Sequence, residues 1–234
     1  MLVHEEGIIL SALKFKESSL IVKVFTPKYG VLTFLEKGVR SAKAKGKAGW
    51  FQPGIILQFI MNYQEHKSMH YFREYKLGYI YESNLYDIKK SSVLQFAIEL
   101  LSKCLHDHQD DEQLYEMVKK QLIALDKNPF NSNFHIEFVV ELMKFLGVYP
   151  SCNYSKNEAY FNMKDGSFES YENKNYTLNK EDSLLLSQVL SNKTALKNGK
   201  ERAKVLEILL QYLQFHIENF KGVKSLDVLK VILG

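Results

Sequence analysis

The apolar residues of this chain change their period near residue 82, and that change divides it into two kinds of structure. Before it, apolar side chains alternate or run in short β-prone blocks; after it, they recur every three or four residues. A period of two belongs to a strand with one buried face, and a period near 3.6 to a helix with one apolar stripe. Strands first and helices afterwards predict an α+β chain in two parts, residues 1–81 and 82–234. With 234 residues, 46% of them hydrophobic, the chain can bury a sizeable core without disulfides or metal.

Five strands are predicted in the first part, over residues 3–13, 19–25, 31–36, 55–63 and 69–81. The second strand has apolar residues on both faces: Leu20, Val22 and Val24 on one, Ile21 and Phe25 with Lys23 on the other. Thr26-Pro-Lys-Tyr-Gly30 reads as a hairpin turn, because Pro27 presets its own φ and Gly30 can take a positive one. Residues 37–49 lack apolar periodicity and carry five cations, which predicts a mobile loop. Five short strands around one long basic loop point to a five-stranded OB-fold barrel, with an SH3-like barrel as the competing architecture.

Helices are predicted over residues 92–105, 111–125 and 133–146, the third being apolar almost all round. Gly147 and Pro150 stop it. Residues 151–178 form a polar, tyrosine-rich excursion in which Lys164-Asp-Gly166 signals a small β-hairpin. Helical spacing resumes over 180–190, 200–220 and 226–233.

Most chemistry is excluded by spacing. Cys104 and Cys152 are too few and too far apart for a disulfide framework or a four-ligand zinc site. His106, His108 and Asp111 cluster where one predicted helix ends and the next begins, a position that suits solvated caps. His66 and His70 straddle a predicted turn, and His135 and His216 lie on apolar helices, where a histidine is more often packed than a ligand. Residues 44–50 are rich in glycine and lysine but lack the spacing of a phosphate-binding P-loop, and no nucleophile motif is present. No catalytic residue and no cofactor are expected. An acidic N-terminus and short apolar runs predict a cytoplasmic protein with no membrane association.

Charge is uneven. Residues 1–80 hold 12 Lys and Arg against 6 Asp and Glu, while residues 81–234 hold 19 against 21. A basic domain beside a near-neutral one fits an anionic polymer as ligand. Lys37, Arg40, Lys43, Lys45 and Lys47, interleaved with Gly, Ala and Ser, form the predicted phosphate-binding loop, with Lys14, Lys16, Lys23 and Lys28 as a second rim. Tyr29, Trp50, Phe51, Tyr63 and Tyr71 are candidates for stacking on bases, although a small barrel also needs large residues inside. Lys197, Lys200, Arg202 and Lys204, near the start of a late helix, are candidates for an acidic partner; a solvated helix face explains them equally well. From the residues alone, DNA binding, RNA binding by an OB protein, and a protein-interaction adaptor whose lysines serve solubility all remain open.

The order of several segments narrows this. Gly7-Ile-Ile-Leu10, the run Ser19-Leu-Ile-Val-Lys-Val-Phe-Thr-Pro-Lys-Tyr-Gly30 and Lys37-Gly-Val-Arg40 resemble the bacterial recombination mediator family RecO. So do residues 138–147 with Tyr149-Pro150, the segment Leu210-Gln-Tyr-Leu-Gln-Phe-His216, and Lys224-Ser-Leu226. The resemblance implies an OB-fold joined to a helical domain, with no catalysis. It implies binding of single- and double-stranded DNA, annealing of complementary strands, and loading of the recombinase RecA onto coated single strands during DNA repair. The implied partners are RecR and the C-terminal tail of single-strand-binding protein, and the implied location is the nucleoid. Many members of that family carry a four-cysteine zinc site after the helix that ends near Pro150. Here the second cysteine pair is absent from residues 156–178, so no zinc is expected and the 151–178 excursion takes the site's place.

Overall fold

A computed structural model describes residues 1–41, 44, 46–105, 111–191 and 196–233. The chain forms two compact units, Met1–Pro129 and Phe130–Gly234.

In the first unit, β1 (Leu2–Phe15), β2 (Ser19–Thr26), β3 (Gly30–Glu36), β4 (Ile56–Asn62) and β5 (Phe72–Leu77) build one antiparallel sheet in the order β3-β2-β1-β4-β5. This is the expected OB-like arrangement, but the sheet is not closed by a continuous ladder. Its two edges meet at one parallel bridge: Leu35 N–H donates to His70 O (3.0 Å) and His70 N–H donates to Thr33 O (2.8 Å). That bridge explains why β5 starts at Phe72, later than the predicted residue 69, since the backbone of His70 serves β3 and not β4; the strand also ends at Leu77, short of the predicted 81.

The predicted β2–β3 turn forms as read. Gly30 has φ 61°, and the Thr26 hydroxyl donates to Gly30 O (2.9 Å) and accepts from Tyr29 N–H (3.2 Å). Val22, Val24, Leu32, Phe34, Phe59 and Met61 fill the inside of the sheet, where Phe34 and Phe72 stack with ring centres 4.1 Å apart. Gly7 is required on β1: a Cβ there would lie 2.4 Å from Val24 Cγ1.

The apolar outer face of β2 has a separate cause. Ile8, Phe25 and Ile56 are fully buried in a row across three strands, against α1 (Ile88–Cys104) and α2 (Glu112–Lys127). Phe25 meets Tyr115 edge to face at 5.5 Å, and the Tyr115 hydroxyl donates to Glu6 Oε1 (3.0 Å). Lys119 pairs with the same carboxylate. Burial and the Glu6 charge both push the Tyr115 phenol well above its ordinary pKa. Helix α1 starts at Ile88, earlier than its apolar stripe predicts, because the Asp87 side chain accepts from the N–H groups of Lys89 and Lys90. Asp111 caps α2 in the same way, through Leu114 N–H (2.8 Å).

The segment that leads from β5 into α1 is held by Asp126. Its carboxylate accepts from the N–H groups of Glu82 (3.0 Å), Ser83 (2.8 Å) and Asn84 (2.8 Å) and from the Tyr79 hydroxyl (3.0 Å). Burial by itself would raise the pKa of this group, but these donors together lower it to about 2. The buried Lys90 ammonium completes the knot, donating at 2.8 Å to Ser83 Oγ, Asp126 O and Asn128 O.

The second unit holds α3 (Phe134–Phe145), the hairpin β6 (Tyr160–Asn162) and β7 (Ser167–Glu169), α4 (Lys180–Leu190), α5 (Gly199–His216) and α6 (Leu226–Leu233). Phe138, Val139, Leu142 and Met143 of α3 and Val205, Leu209 and Leu213 of α5 are buried. The predicted Lys164-Asp-Gly166 turn is present, with Gly166 at φ 67°. Phe161 and Phe168 pack at 4.9 Å and are flanked by Tyr154 and Tyr212. α5 ends at His216, short of the predicted residue 220; the His216 Nε2 lies 3.0 Å from Met163 O of the hairpin.

Candidate nucleic-acid interface

The described residues of the basic segment that follows β3 are fastened at both ends; the expectation of a mobile loop over 37–49 falls partly on residues outside them. Val39 is buried in the sheet's interior, and residues Lys47–Phe51 form a short 3-10 helix that inserts Phe51 beside it. Between these anchors, Arg40 docks on the β1–β2 turn. Its backbone N–H donates to Ser18 O (3.1 Å) and its guanidinium Nη1 donates to Lys16 O (3.3 Å). Ser41 closes a local turn by donating to Gly38 O (2.7 Å).

This docking collects cations from distant parts of the sequence. Lys14 and Lys16 at the end of β1, and Lys37 and Arg40 after β3, are exposed at the same end of the sheet. Lys47 is exposed at the start of the 3-10 helix. The Lys37 ammonium sits 5.4 Å from the centre of the Tyr71 ring, which is 51% exposed. Nearby, Glu36 is half-buried and accepts from the Tyr75 hydroxyl (3.2 Å). Burial raises the Glu36 pKa, while the Tyr75 bond and the Lys47 charge oppose the rise. Lys43 and Lys45 lie outside the described residues. Two of the predicted rim residues are elsewhere: Lys23 lies mid-strand, opposite Ser11 and Thr33, and Lys28 lies in the β2–β3 turn at the other end of β2.

The aromatic candidates separate by packing. Phe51 is 0% exposed, enclosed by Phe72 and Tyr75, so its assignment as a stacking residue is corrected: it has no face to offer a base. Trp50 is partly buried and meets Tyr75 edge to face at 6.1 Å. Tyr29 and Tyr63 pack on each other at 4.1 Å, and Tyr63 also stacks on His70. Tyr71 remains as an exposed ring beside a cation. Two apolar residues missed in the sequence stand out instead: Leu13 is 65% exposed and Phe15 37% exposed, on one face of β1 and alternating with Lys14 and Lys16. Their signal was the Leu-Lys-Phe-Lys alternation at a strand end, where the apolar members point away from the sheet's interior.

In the second unit the four candidate partner-binding cations diverge. Lys204 pairs with Asp182 of α4 (3.0 Å), and Arg202 turns towards His135, Leu229 and Leu233 around a small cleft of about 80 Å³. Burial, with the Arg202 charge, lowers the His135 pKa to about 4. Lys197 and Lys200 are exposed beside the N-cap Asn198, whose side chain accepts from Glu201 N–H (2.9 Å).

Among the described residues, no three His, Cys, Asp or Glu side chains are grouped to hold an ion; His106 and His108 fall outside them. Cys152 is the sole cysteine of residues 130–234, so the four-thiolate zinc site does not fit this chain. Cys104 is buried, and burial pushes its thiol up to about 12, away from nucleophilic chemistry. No helix among the described residues is long and apolar enough to cross a membrane.

Comparison with known proteins identifies the lineage. Residues 1–81 match the family model Recombination protein O N terminal, and residues 85–227 match Recombination protein O C terminal. The chain belongs to the Recombination protein O family. Relatives named DNA repair protein RecO include those of Christiangramia forsetii, 34% identical over 100% of both chains, and Flavobacterium johnsoniae, 32% identical over 100% of both. The protein of that name from Bacteroides fragilis is 31% identical over 98% of each chain. The family matches cover both the strand-rich part with its docked basic segment and the helical part.

Proposed function

We propose that this protein acts in recombinational DNA repair by binding single- and double-stranded DNA through the N-terminal sheet, bringing complementary strands together without bond chemistry. The observation that carries this reading is the docking of Arg40 on the β1–β2 turn, which gathers Lys14, Lys16, Lys37 and Arg40 into one cationic end. Annealing needs no nucleophile or metal; it needs cations that neutralise two phosphate backbones so that the strands can approach. Membership of the family supports the further steps: association with RecR, capture of the acidic tail of single-strand-binding protein by the second unit, and loading of RecA in the nucleoid. Lys197 and Lys200 are the exposed cations best placed to receive an acidic tail there.

The test is salt-titrated DNA binding by wild type and by a variant with Lys37, Arg40, Lys43, Lys45 and Lys47 all changed to Gln. Each phosphate that is no longer neutralised flattens the slope of log K against log salt by about 0.7 on single strands. A weaker and flatter response is expected; an unchanged slope overturns the assignment. Matched DNA and RNA oligonucleotides distinguish the repair role, because a strong RNA preference counts against it.

A further inference from the structure

The outer face of the N-terminal sheet is covered by α1 and α2 along the row Ile8, Phe25 and Ile56; a polar row of Ser11, Lys23 and Thr33 follows, and beyond it the face turns apolar again. At the β1–β2 tip, Leu13 and Phe15 project from this face at 65% and 37% exposure. Leu13 pairs across the sheet with Ile21, and Ile21 with Leu35, both partly exposed, so the patch is continuous over three strands. Two apolar side chains at a hairpin tip leave apolar surface in water, so their surroundings indicate what they meet.

Those surroundings are cationic and held in place. Lys16 adopts φ 51°, a left-handed conformation that lysine rarely takes, and its ammonium lies 5.5 Å from the centre of the Phe15 ring. Its carbonyl receives the Arg40 guanidinium, and the next carbonyl but one, Ser18 O, receives the Arg40 backbone N–H. Exposed Lys14 stands between the two apolar residues in sequence, and Glu17 is the acidic residue of the turn. The result is an exposed ring and an exposed leucine beside Lys16 and Arg40, with Lys14 on the opposite face of the same strand end. Unpaired nucleobases match this chemistry: they offer π-faces to Phe15 and Leu13, while the phosphates beside them meet Lys16 and Arg40.

We propose that the β1–β2 tip is a base-stacking site for single-stranded nucleic acid, in which Phe15 and Leu13 hold unstacked bases. This rests on the reading of the sheet as nucleic-acid binding, and adds to it that bases, not only phosphates, are engaged. It assigns to the site two residues that carry no charge.

The experiment compares binding to an ordinary single strand with binding to an abasic sugar–phosphate strand of equal length. Wild type is expected to prefer the base-bearing strand on the order of 10-fold, the effect of one engaged aromatic ring. The Leu13→Ser/Phe15→Ser protein is expected to bind both strands equally, and to bind the abasic strand as wild type does. Phe15→Leu keeps the apolar surface but removes the ring, and should lose most of the preference; Phe15→Tyr should keep it. Equal binding of both strands by wild type overturns the proposal while leaving the charge-based reading intact. Binding of neither strand overturns that underlying reading. A preference that survives in Leu13→Ser/Phe15→Ser shows that the tip is not a stacking site, and a self-associated wild type dispersed by the double substitution assigns the patch to a second copy of the chain instead.

Discussion

At Ile8 the outer face of β1 is sealed between Phe25 and Ile56 and faces the helices, whereas at Leu13 the same face meets solvent. One strand thus serves two purposes along its length. The covered end is bound by shape and by hydrogen bonds: an edge-to-face ring pair, a carboxylate shared by Tyr115 and Lys119, and the Asp126 knot close by. The bare end is held by Arg40, whose backbone N–H and guanidinium donate to the carbonyls of Ser18 and Lys16 and leave the Leu13 and Phe15 side chains exposed. The buried contacts lie where the helices are, and the proposed ligand contacts where they are not. A side chain that completes a core cannot also present itself to a ligand.

The sharpest way to break this contrast is to truncate matched rings at the two ends. Phe25→Ala removes a fully buried ring and is expected to cost about 3–5 kcal/mol in denaturant unfolding, the range for large core deletions. A loss under 1 kcal/mol would show that the helices are not what stabilises this face.

Next in size is Asp126→Asn, expected to cost roughly 1.5–3 kcal/mol, since hydrogen bonds to a charged acceptor are replaced by bonds to a neutral amide that also brings donors. The pH dependence identifies the cause. The folded pKa of about 2 lies below the ordinary 3.8, so the Asp126 contribution is present above pH 4 and disappears as pH falls towards 2. Wild type should therefore lose its advantage over Asp126→Asn across that interval in unfolding experiments at graded pH. A difference that persists unchanged at pH 2 would assign the effect to packing.

The smallest expected effect is at the bare end. Phe15→Ala should change unfolding free energy by less than about 0.5 kcal/mol, as surface substitutions usually do. A larger loss would mean that Phe15 is structural, and would weaken its case as a ligand contact.

Several parts of this arrangement were legible in the sequence because they depend on neighbours along the chain. The Thr26–Gly30 turn and the Asp165-Gly166 hairpin are decided by a few adjacent residues, and both are present. The five strands could be read from their alternation, since a one-residue period error would place Val22 and Val24 in solvent. What stayed hidden involved residues far apart. The second apolar face of β2 looked like ordinary barrel patterning, and its actual partner, Tyr115, lies 90 positions away. Phe51 looked available because it follows a basic loop, yet the 3-10 helix turns it into the core.

For the candidate site, the sequence by itself determined the ingredients: a cation-rich segment after the third strand, and lysines alternating with apolar residues at the end of the first. Only the tertiary structure decided which of them meet. Arg40 reaches the carbonyl of Lys16 across 24 positions, which joins two lysine groups that the sequence keeps apart and leaves Lys28 at the opposite end of the sheet. The physical reason is that charge and periodicity are properties of local sequence, whereas exposure is set by whatever packs against a face. That covering comes from helices encoded well beyond the strands, and it stops short of Leu13 and Phe15.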